Sequence, residues 1–361
     1  MEKIQYQIQD SKKVVIPENP GFGIVFTNHV FEMDYTPAEG WHNPVIKPLE
    51  NLSLHPGTMF IHYGQTIFEG MKAFRTVNNE IAVFRPDKHF ERLNNSARRL
   101  CIPEVDSTFL LNSLIELLNV EKDWVPSREG QSLYIRPFIF GSDPFLGVKP
   151  SGNYKLIILL SPVGAYYPEG FKPVKILAQD EYVRAVRKGI GEAKTAGNYA
   201  ASLLAGQKAA ARGFSQVLWL DGVELKNIDE VGAMNVFIAF KDEIVTPKLN
   251  GAILPGITRM SVIEILESWG RKVKERTISI DELIQQYDSG NVECMFGTGT
   301  AAVISSIGTL QYKDKILNFN NGQACALELK LFEEITSIQT GKSEDKYNWL
   351  TFIDNVRMEV E

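Results

Sequence analysis

The chain has 361 residues, a length typical of about two domains. Its 44% hydrophobic and 23% charged residues are the composition of a folded globular protein and exclude a disordered chain. The 38 Lys and Arg residues against 44 Asp and Glu residues give a formal net charge of −6, which argues against a surface that binds nucleic acid.

Cysteine and histidine spacing indicates a protein of a reducing compartment without a metal site. Cys101, Cys294 and Cys325 are odd in number and far apart, so we expect no disulfide framework. The histidines have neither HxH nor HExxH spacing, which predicts no zinc site. The polar N-terminus lacks the apolar core of a signal peptide. The longest apolar run, residues 231–240, is half the ~20 residues that a membrane helix needs. We therefore expect a cytoplasmic protein.

In the N-terminal half, alternating apolar residues predict strands, and apolar residues at helical spacing predict two helices. The turn Val77-Asn78-Asn79-Glu80 joins two of the strands into a hairpin. The first helix opens at Pro86, and Asp106 or Ser107 caps the second. This half is typical of an α+β fold. The predicted strands are 22–35, 71–76, 81–85, 133–140 and 154–160, and the predicted second helix is 107–120.

In the C-terminal half, shorter strands alternate with helices, which predicts a mixed α/β sheet or a barrel with outer helices. The pattern changes after the Gly-, Pro- and Ser-rich loop 141–152. We therefore predict a smaller N-terminal α+β domain at 1–168 and a larger C-terminal domain at 169–361. The predicted elements are strands 174–179, 216–220, 236–240, 272–277 and 292–296, and helices 199–212, 258–269, 281–287 and 324–340.

Two segments could hold an anion. Gly297-Thr298-Gly299-Thr300 follows an apolar strand, where small residues let backbone N–H groups approach an anion and the threonines add donors. A tight turn that needs glycine for a positive φ explains the same pattern equally well. Pro255-Gly256-Ile257-Thr258-Arg259 opens a helix whose free N–H groups form a second anion site, or Thr258 is simply its N-cap.

Three charged side chains could take part in chemistry. Lys194 lies among small residues, so a carbonyl compound could reach its amine and form a Schiff base; a solvated loop lysine is the common alternative. Glu230 directly precedes the apolar run, and an acid at the mouth of a buried strand needs a partner. That partner is either an arginine or helix N-terminus, or the cationic ring nitrogen of a cofactor. Arg92 could clamp a phosphate or be solvated.

Seven motifs in a fixed order resemble the branched-chain-amino-acid aminotransferases, which are pyridoxal-phosphate enzymes of fold type IV in the class IV aminotransferase family. The resemblance covers nearly the whole chain, and the shared order is far more specific than any one motif. It implies a two-domain architecture with a barrel-like C-terminal domain that binds the cofactor. The motifs are FEGMKAF at 68–74, YIRP at 134–137, SPVGAY at 161–166, KTAGNY at 194–199, EVGAMN at 230–235, LPGITR at 254–259 and GTGTA at 297–301.

The resemblance implies the cofactor contacts. Lys194 would form the Schiff base with pyridoxal 5′-phosphate and then move the proton during transamination. Glu230 would pair with the pyridinium nitrogen and keep the ring protonated, and Tyr199 would hydrogen-bond the ring's phenolic oxygen. The remaining contacts fall on the phosphate and are implied for Arg92, Ile257, Thr258 and Thr300.

The resemblance also implies an apolar substrate pocket. Arg136 would bind the γ-carboxylate of glutamate, and the backbone N–H groups of Thr300 and Ala301 would bind the α-carboxylate. Val148, in the loop 141–152, would lie near the partner subunit's site in a homodimer. The wall of the pocket would be formed by Phe22, Tyr63, Phe68, Tyr134 and Tyr166.

The implied function is transfer of the amino group between Leu, Ile or Val and 2-oxoglutarate by a ping-pong mechanism. Tyr134, Arg136 and the segment that ends at Tyr166 favour branched-chain substrates. A D-amino-acid aminotransferase or an aminodeoxychorismate lyase on the same fold remains open, because these relatives share the lysine and the glutamate. A non-catalytic module that binds a phosphate ligand is the alternative of another class.

Overall fold

The computed structural model describes residues 2–9, 14–164 and 171–353. The chain forms two compact units. One comprises Met1–Tyr166, Ala193–Ala196 and Ser337–Glu361, and the other comprises Tyr167–Glu192 and Gly197–Thr336. The predicted domain boundary between 168 and 169 falls outside the described residues and stays a prediction.

Eighteen strands and eight α-helices make up the described chain. In chain order they are β1 (Gln5–Tyr6), β2 (His29–Thr36), β3 (Gly40–Pro48), α1 (Met59–Tyr63), β4 (Thr66–Phe68), β5 (Met71–Arg75), β6 (Ile81–Phe84), α2 (Pro86–Arg99), α3 (Ser107–Val120), β7 (Ser132–Gly141), β8 (Tyr154–Val163), β9 (Val174–Gln179), α4 (Ala196–Ala200), α5 (Leu203–Ala211), β10 (Gln216–Leu220), β11 (Ile228–Val231), β12 (Met234–Phe240), β13 (Ile244–Pro247), α6 (Ile257–Ser268), β14 (Val273–Arg276), α7 (Ile280–Asp288), β15 (Val292–Gly299), β16 (Val303–Tyr312), β17 (Lys315–Asn318), α8 (Ala326–Gln339) and β18 (Leu350–Phe352).

The first unit is built on one sheet with the strand order β1-β3-β2-β8-β7-β5-β6-β18, and β4 pairs with β7. Apolar side chains of α2 and α3, including Phe90, Leu93 and Leu114, join Ile135 of β7 in one buried core. The end of the chain returns to this sheet because β18 pairs with β6. The predicted N-terminal α+β architecture is confirmed.

Local signals in this unit explain how its elements begin. The predicted hairpin forms between β5 and β6. Helix α2 starts at Pro86, which lacks the N–H that a first helical turn cannot pair. Asp106 caps α3 by accepting a 2.7 Å hydrogen bond from the Phe109 N–H. The strand predicted over 22–35 is shorter than expected: β2 starts at His29, because Gly21 and Gly23 adopt positive φ in turns before it.

The sheet of the second unit closes into a barrel. Its strands follow the order β11-β10-β9-β16-β15-β12, and β12 pairs again with β11. Strands β13 and β14 extend the sheet from β12, and β17 pairs with β16. The buried apolar cluster of this unit includes Ile176, Leu218, Ile238 and Met295. The barrel-like C-terminal architecture is therefore as expected.

This unit differs from the prediction in two respects: one predicted helix is interrupted, and strands β11, β13, β16 and β17 were not predicted. The helix predicted over 199–212 is interrupted between α4 and α5, where the Ser202 hydroxyl donates a 2.7 Å hydrogen bond to the Tyr199 carbonyl and competes with helical pairing. Strand β16 was not predicted. It is almost entirely buried although it contains Ser305 and Ser306, so its sequence shows neither clear alternation nor a purely apolar run.

The cap of α3 can be tested by substitution. Replacing Asp106 by Ala should lower the unfolding free energy by about 1 kcal/mol, because the Phe109 N–H loses its acceptor. The Asp106→Asn variant is the matched control, since asparagine also caps helices well. Urea unfolding of the variants measures the difference, and equal stability of the two variants would contradict the capping role.

Candidate active site

The backbone at Lys194 is fixed by strand β4 and helix α2 of the first unit. The Phe68 N–H donates to the Lys194 carbonyl at 3.0 Å, and the Lys194 N–H donates to Ser96 Oγ at 2.9 Å. The Thr195 hydroxyl donates to the Thr66 carbonyl at 2.6 Å. The lysine side chain is half-buried, with Nζ 5.1 Å from the centre of the Phe68 ring. A primary amine is thus held beside an aromatic ring.

A buried carboxylate that the sequence analysis did not single out lies next to these residues. Glu69 is fully buried. Arg92 donates from Nε to Oε1 at 2.7 Å and from a terminal nitrogen to Oε2 at 2.9 Å, which is a bidentate pair. His89 Nδ1 lies 2.7 Å from Oε2. Glu69 therefore sets the orientation of Arg92, the residue expected to contact phosphate.

The charges of this trio are set by opposing effects. Burial alone would raise the pKa of Glu69, but the Arg92 charge and the hydrogen bonds from Arg92 and His89 bring it well below its ordinary value. Burial lowers the pKa of His89, and the charges of Arg92 and Lys194 lower it further. The charge of Glu69 and its hydrogen bond to His89 raise this pKa but do not outweigh the other effects. At neutral pH the trio is a carboxylate, a guanidinium and a neutral imidazole.

Arg136 lies against two aromatic rings of the same unit. Its guanidinium carbon is 4.8 Å from the centre of the Phe68 ring and 5.2 Å from that of Tyr134. One terminal nitrogen donates to the Tyr134 hydroxyl at 2.9 Å, whereas Nε is buried and makes no hydrogen bond within the described residues. A cation held on aromatic faces with an unsatisfied donor is suited to receive an anion.

Close packing brings other side chains to Tyr134. The Phe22 ring meets it edge-on, with 4.9 Å between centroids. A Cβ at Gly70 would collide with the Tyr134 hydroxyl, so glycine is needed there for the close approach. Lys72 is the register partner of Tyr134 across β5 and β7, and burial lowers the pKa of this lysine to about 8. The motif FEGMKAF thus places a second amine, that of Lys72, on the same face of the sheet as Tyr134.

Tyr63, at the end of α1, contacts the loop 141–152, which contains Val148. The hydroxyl of half-exposed Tyr63 donates to the carbonyl of Leu146, and Val148, two residues further on, is 88% exposed. The remaining predicted substrate residue, Tyr166, lies outside the described residues.

In the second unit, three buried polar residues form a row across three strands. Glu230 of β11 pairs with Asn235 of β12, which pairs in turn with Thr298 of β15. Asn235 Nδ2 donates to Glu230 Oε1 at 3.2 Å and to the Leu254 carbonyl at 2.8 Å. Thr298 Oγ1 is buried and has no hydrogen-bond partner within the described residues. Asn235, whose role the sequence did not indicate, links the carboxylate to the segment before α6.

Glu230 has a cationic partner within the protein. A terminal nitrogen of Arg184 lies 2.6 Å from Oε2, and the Leu254 N–H donates to Oε1 at 3.2 Å. Arg184 also donates to the Ala252 carbonyl. Of the two kinds of partner left open by the sequence, the structure contains the arginine. No sequence signal distinguishes Arg184 from its neighbours, because its contacts with Glu230 are made by distant parts of the chain.

The two predicted anion segments also lie in this unit. Helix α6 begins at Ile257 after an extended Gly256, which has no side chain that could cap the first N–H groups. Gly297 has no positive φ, so the tight-turn explanation does not hold for it. A Cβ there would lie 2.9 Å from Met234 Cε, so Gly297 packs closely against the end of that side chain. Thr300 and Ala301 follow in the turn between β15 and β16 and are half-buried.

Comparison with known proteins places this geometry in a family. The chain matches the family model of amino-transferase class IV over residues 66–308. Branched-chain-amino-acid aminotransferase 2 of Bacillus subtilis is 55% identical over 335 residues, which cover 93% of this chain and 92% of that protein. A probable branched-chain-amino-acid aminotransferase of Staphylococcus epidermidis is 51% identical over 350 residues, 96% of this chain and 98% of that protein.

Solved structures are also similar. The branched-chain amino acid aminotransferase of Escherichia coli has a TM-score of 0.75 at 26% identity, covering 90% of this chain and 99% of its own. The T.th. branched-chain amino acid aminotransferase complexed with N-(5′-phosphopyridoxyl)-L-glutamate has a TM-score of 0.75 at 26% identity, covering 91% of this chain and 99% of its own. The chain belongs to the class IV aminotransferase family.

Proposed function

We propose that the chain is a branched-chain-amino-acid aminotransferase that uses pyridoxal 5′-phosphate and moves the amino group between Leu, Ile or Val and 2-oxoglutarate by a ping-pong mechanism. The observation that carries the proposal is the half-buried amine of Lys194 beside Phe68, on the ring that also supports Arg136. The similarity to the branched-chain aminotransferases supports the substrate class.

The residues present fit this cofactor. An aldehyde needs a primary amine, and Lys194 supplies one. A pyridinium nitrogen needs a buried acid, and Glu230 lies in the polar row with Asn235. A phosphate needs N–H and hydroxyl donors, and the start of α6, with Ile257 and Thr258, offers both. The sets of donors thus match the chemical parts of the cofactor.

When bound, the cofactor would supply an electron sink for the loss of the proton from the substrate Cα. Lys194 Nζ would hold the cofactor at its aldehyde carbon and would move the proton of the substrate Cα. Glu230 would hold the ring nitrogen in its protonated form, and Arg184 would orient the Glu230 carboxylate. Tyr199 would donate to the phenolic oxygen of the ring. Arg92, Ile257, Thr258 and Thr300 would hold the phosphate.

One pocket must accept both a branched apolar side chain and the side chain of glutamate. Aromatic rings suit the apolar side chain, and Arg136 on these rings supplies one reachable cation for the γ-carboxylate. The backbone N–H groups of Thr300 and Ala301 bind the α-carboxylate that all the substrates share. The proposed wall comprises Phe22, Tyr63, Phe68, Tyr134 and Tyr166.

We further propose a homodimer in the cytoplasm. The side chains of Leu146 and Val148 are exposed and apolar, and their loop contacts Tyr63 through the Leu146 carbonyl; they are suited to contact a second copy, whose site they would help to complete. All three cysteines are free thiols, which suits a reducing compartment. Within the described residues, no helix combines the length and apolar character needed to cross a bilayer.

Replacing Lys194 by Ala should reduce transamination between leucine and 2-oxoglutarate by roughly 1000-fold or more, because both the bonding amine and the proton carrier are lost. The control is Lys208→Ala, which removes an exposed lysine paired with Glu181. Near-normal turnover of the Lys194→Ala variant would refute the assignment.

Two further measurements separate the alternatives. Borohydride reduction followed by peptide mapping should leave a pyridoxyl group on Lys194, whereas a module that only binds phosphate leaves none. A substrate panel should show activity with Leu, Ile and Val. Activity restricted to D-alanine or aminodeoxychorismate would instead favour one of the relatives with the same fold.

Replacing Arg136 by Ala should lower kcat/KM for glutamate by about 10- to 100-fold, because a charge-assisted hydrogen bond to the γ-carboxylate is lost. The value for leucine should fall much less. The exposed Arg98, replaced by Ala, serves as the control. Equal losses for the two amino acids would indicate that Arg136 is structural.

Replacing Glu69 by Gln should lower the unfolding free energy by about 3–5 kcal/mol at pH 7, because Arg92 is left as an unpaired buried charge. The pKa of Glu69 in the folded state lies well below its ordinary value of 4.5. The stabilisation of the folded state by the Glu69 carboxylate is therefore complete above pH 4.5, and it is lost as the pH falls through the lower folded-state pKa.

Urea unfolding at pH 7 and at stepwise lower pH measures this contribution. The control is Glu91→Gln, which changes an exposed carboxylate of α2 that is paired with Lys88. We expect the difference in unfolding free energy between the wild type and Glu69→Gln to shrink as the pH falls below 4.5. A difference that grows instead would contradict the argument.

A further inference from the structure

The second unit contains two thiols and a carboxylate that the proposed function does not use. Cys294 lies in β15, Cys325 immediately precedes α8, and Glu328 lies in the first turn of α8. The two Sγ atoms and one carboxylate oxygen of Glu328 all lie within 4.8 Å of one another. Cys294 and Glu328 are buried, whereas Cys325 is partly exposed. The cluster can therefore be reached from the side of Cys325.

The carboxylate of Glu328 is held in place but only half satisfied. Its Oε2 accepts a 2.7 Å hydrogen bond from the Ser306 hydroxyl and a 2.9 Å hydrogen bond from the Cys325 backbone N–H. Its Oε1 is buried and makes no hydrogen bond within the described residues. A buried polar atom without a partner is costly and rare in folded proteins. The unsatisfied oxygen therefore points to a ligand.

Both cysteines of the cluster are free thiols, so both sulfur atoms are available as ligands once they lose their protons.

We propose that Cys294, Cys325 and Glu328 bind one zinc ion. Zinc binds thiolate sulfur at about 2.3 Å and carboxylate oxygen at about 2.1 Å, so tetrahedral ligand atoms lie roughly 3.5–3.8 Å apart. The observed separations, all within 4.8 Å, reach this geometry with small side-chain movements. The fourth position falls to a water molecule or to the neighbouring hydroxyl of Ser306. On binding, the protons of the two thiols, and that of Glu328 where present, pass to solvent.

The ion would join two elements that are far apart in the chain. Cys294 lies in the strand that leads to Gly297, and Cys325 and Glu328 lie at the start of α8. Spacing alone predicts no such site, because 30 residues lie between the two cysteines. The ion would therefore stabilise the folded second unit, in addition to the transamination proposed above and independently of it.

The test titrates the reduced, cofactor-loaded protein with Co²⁺ after treatment with a chelator. We expect one equivalent of Co²⁺ per chain, with visible absorption bands of a tetrahedral thiolate site at longer wavelengths than the cofactor absorbs. Zn²⁺ should displace the Co²⁺ and raise the Tm of the wild type, because it binds the folded state.

Cys325→Ser and Cys294→Ser should lose the bands, and Glu328→Gln should bind at least tenfold more weakly. Cys101→Ser is the matched control, since Cys101 is exposed and lies in the first unit.

Several results would overturn the proposal. They are the absence of stoichiometric Co²⁺ binding to the reduced wild type, Co²⁺ bands that persist in Cys325→Ser, and a loss of the bands in Cys101→Ser. If the reduced protein binds no metal but peroxide converts both thiols into a Cys294–Cys325 disulfide, the pair is a redox site and the zinc proposal fails. Circular dichroism and a second variant, Cys294→Ala, exclude unfolding as the cause of lost binding. None of these experiments measures transamination, so a failure of the zinc proposal would leave the proposed function untouched.

Discussion

The buried ion pair between Glu69 and Arg92 connects the end of β4 to α2, and the position of Lys194 depends on that connection. The lysine backbone is bonded to both elements, through the Phe68 N–H on one side and Ser96 Oγ on the other. A buried pair with bidentate geometry is costly to break, because either partner alone would be an uncompensated charge. An interaction that does not itself touch the substrate thus holds the amine proposed to do the chemistry.

In the second unit, strand register has the corresponding role. Glu230, Asn235 and Thr298 are aligned because β11, β12 and β15 pair antiparallel in one register. A slip by one residue would turn each of these side chains to the other face of its strand. Gly297 packs closely against the side chains of Met234 and Val231, so a larger residue there would have to displace them. The polar row is therefore a property of the closed sheet.

Strand β15 connects this row to the proposed zinc site. Cys294 and Thr298 are four residues apart, so the two side chains point to the same face of the strand, roughly 13 Å apart along it. An ion bound at Cys294 would restrain the beginning of β15, and the row that includes Glu230 lies near its end. Local stability at one end of a strand is expected to influence the other end through the shared backbone pairing.

Elements whose signals are local could be inferred from the amino-acid order, whereas the meeting of distant groups could not. The hairpin β5–β6, the start of α2 at Pro86 and the cap of α3 at Asp106 follow from turn residues, the geometry of proline and helical spacing, all within a few residues. The family followed from seven motifs in a fixed order, and two of those motifs contain Lys194 and Glu230.

In contrast, the pairing of Glu69 with Arg92 and that of Arg184 with Glu230 join separate segments, and no local pattern encodes them. Strand β16 was missed for the same reason, since its buried serines obtain partners such as Glu328 from elsewhere in the fold. Burial and pairing of polar groups are global properties of the folded chain, whereas propensity, capping and turn formation act over a few neighbouring residues, and only these are visible in a single sequence.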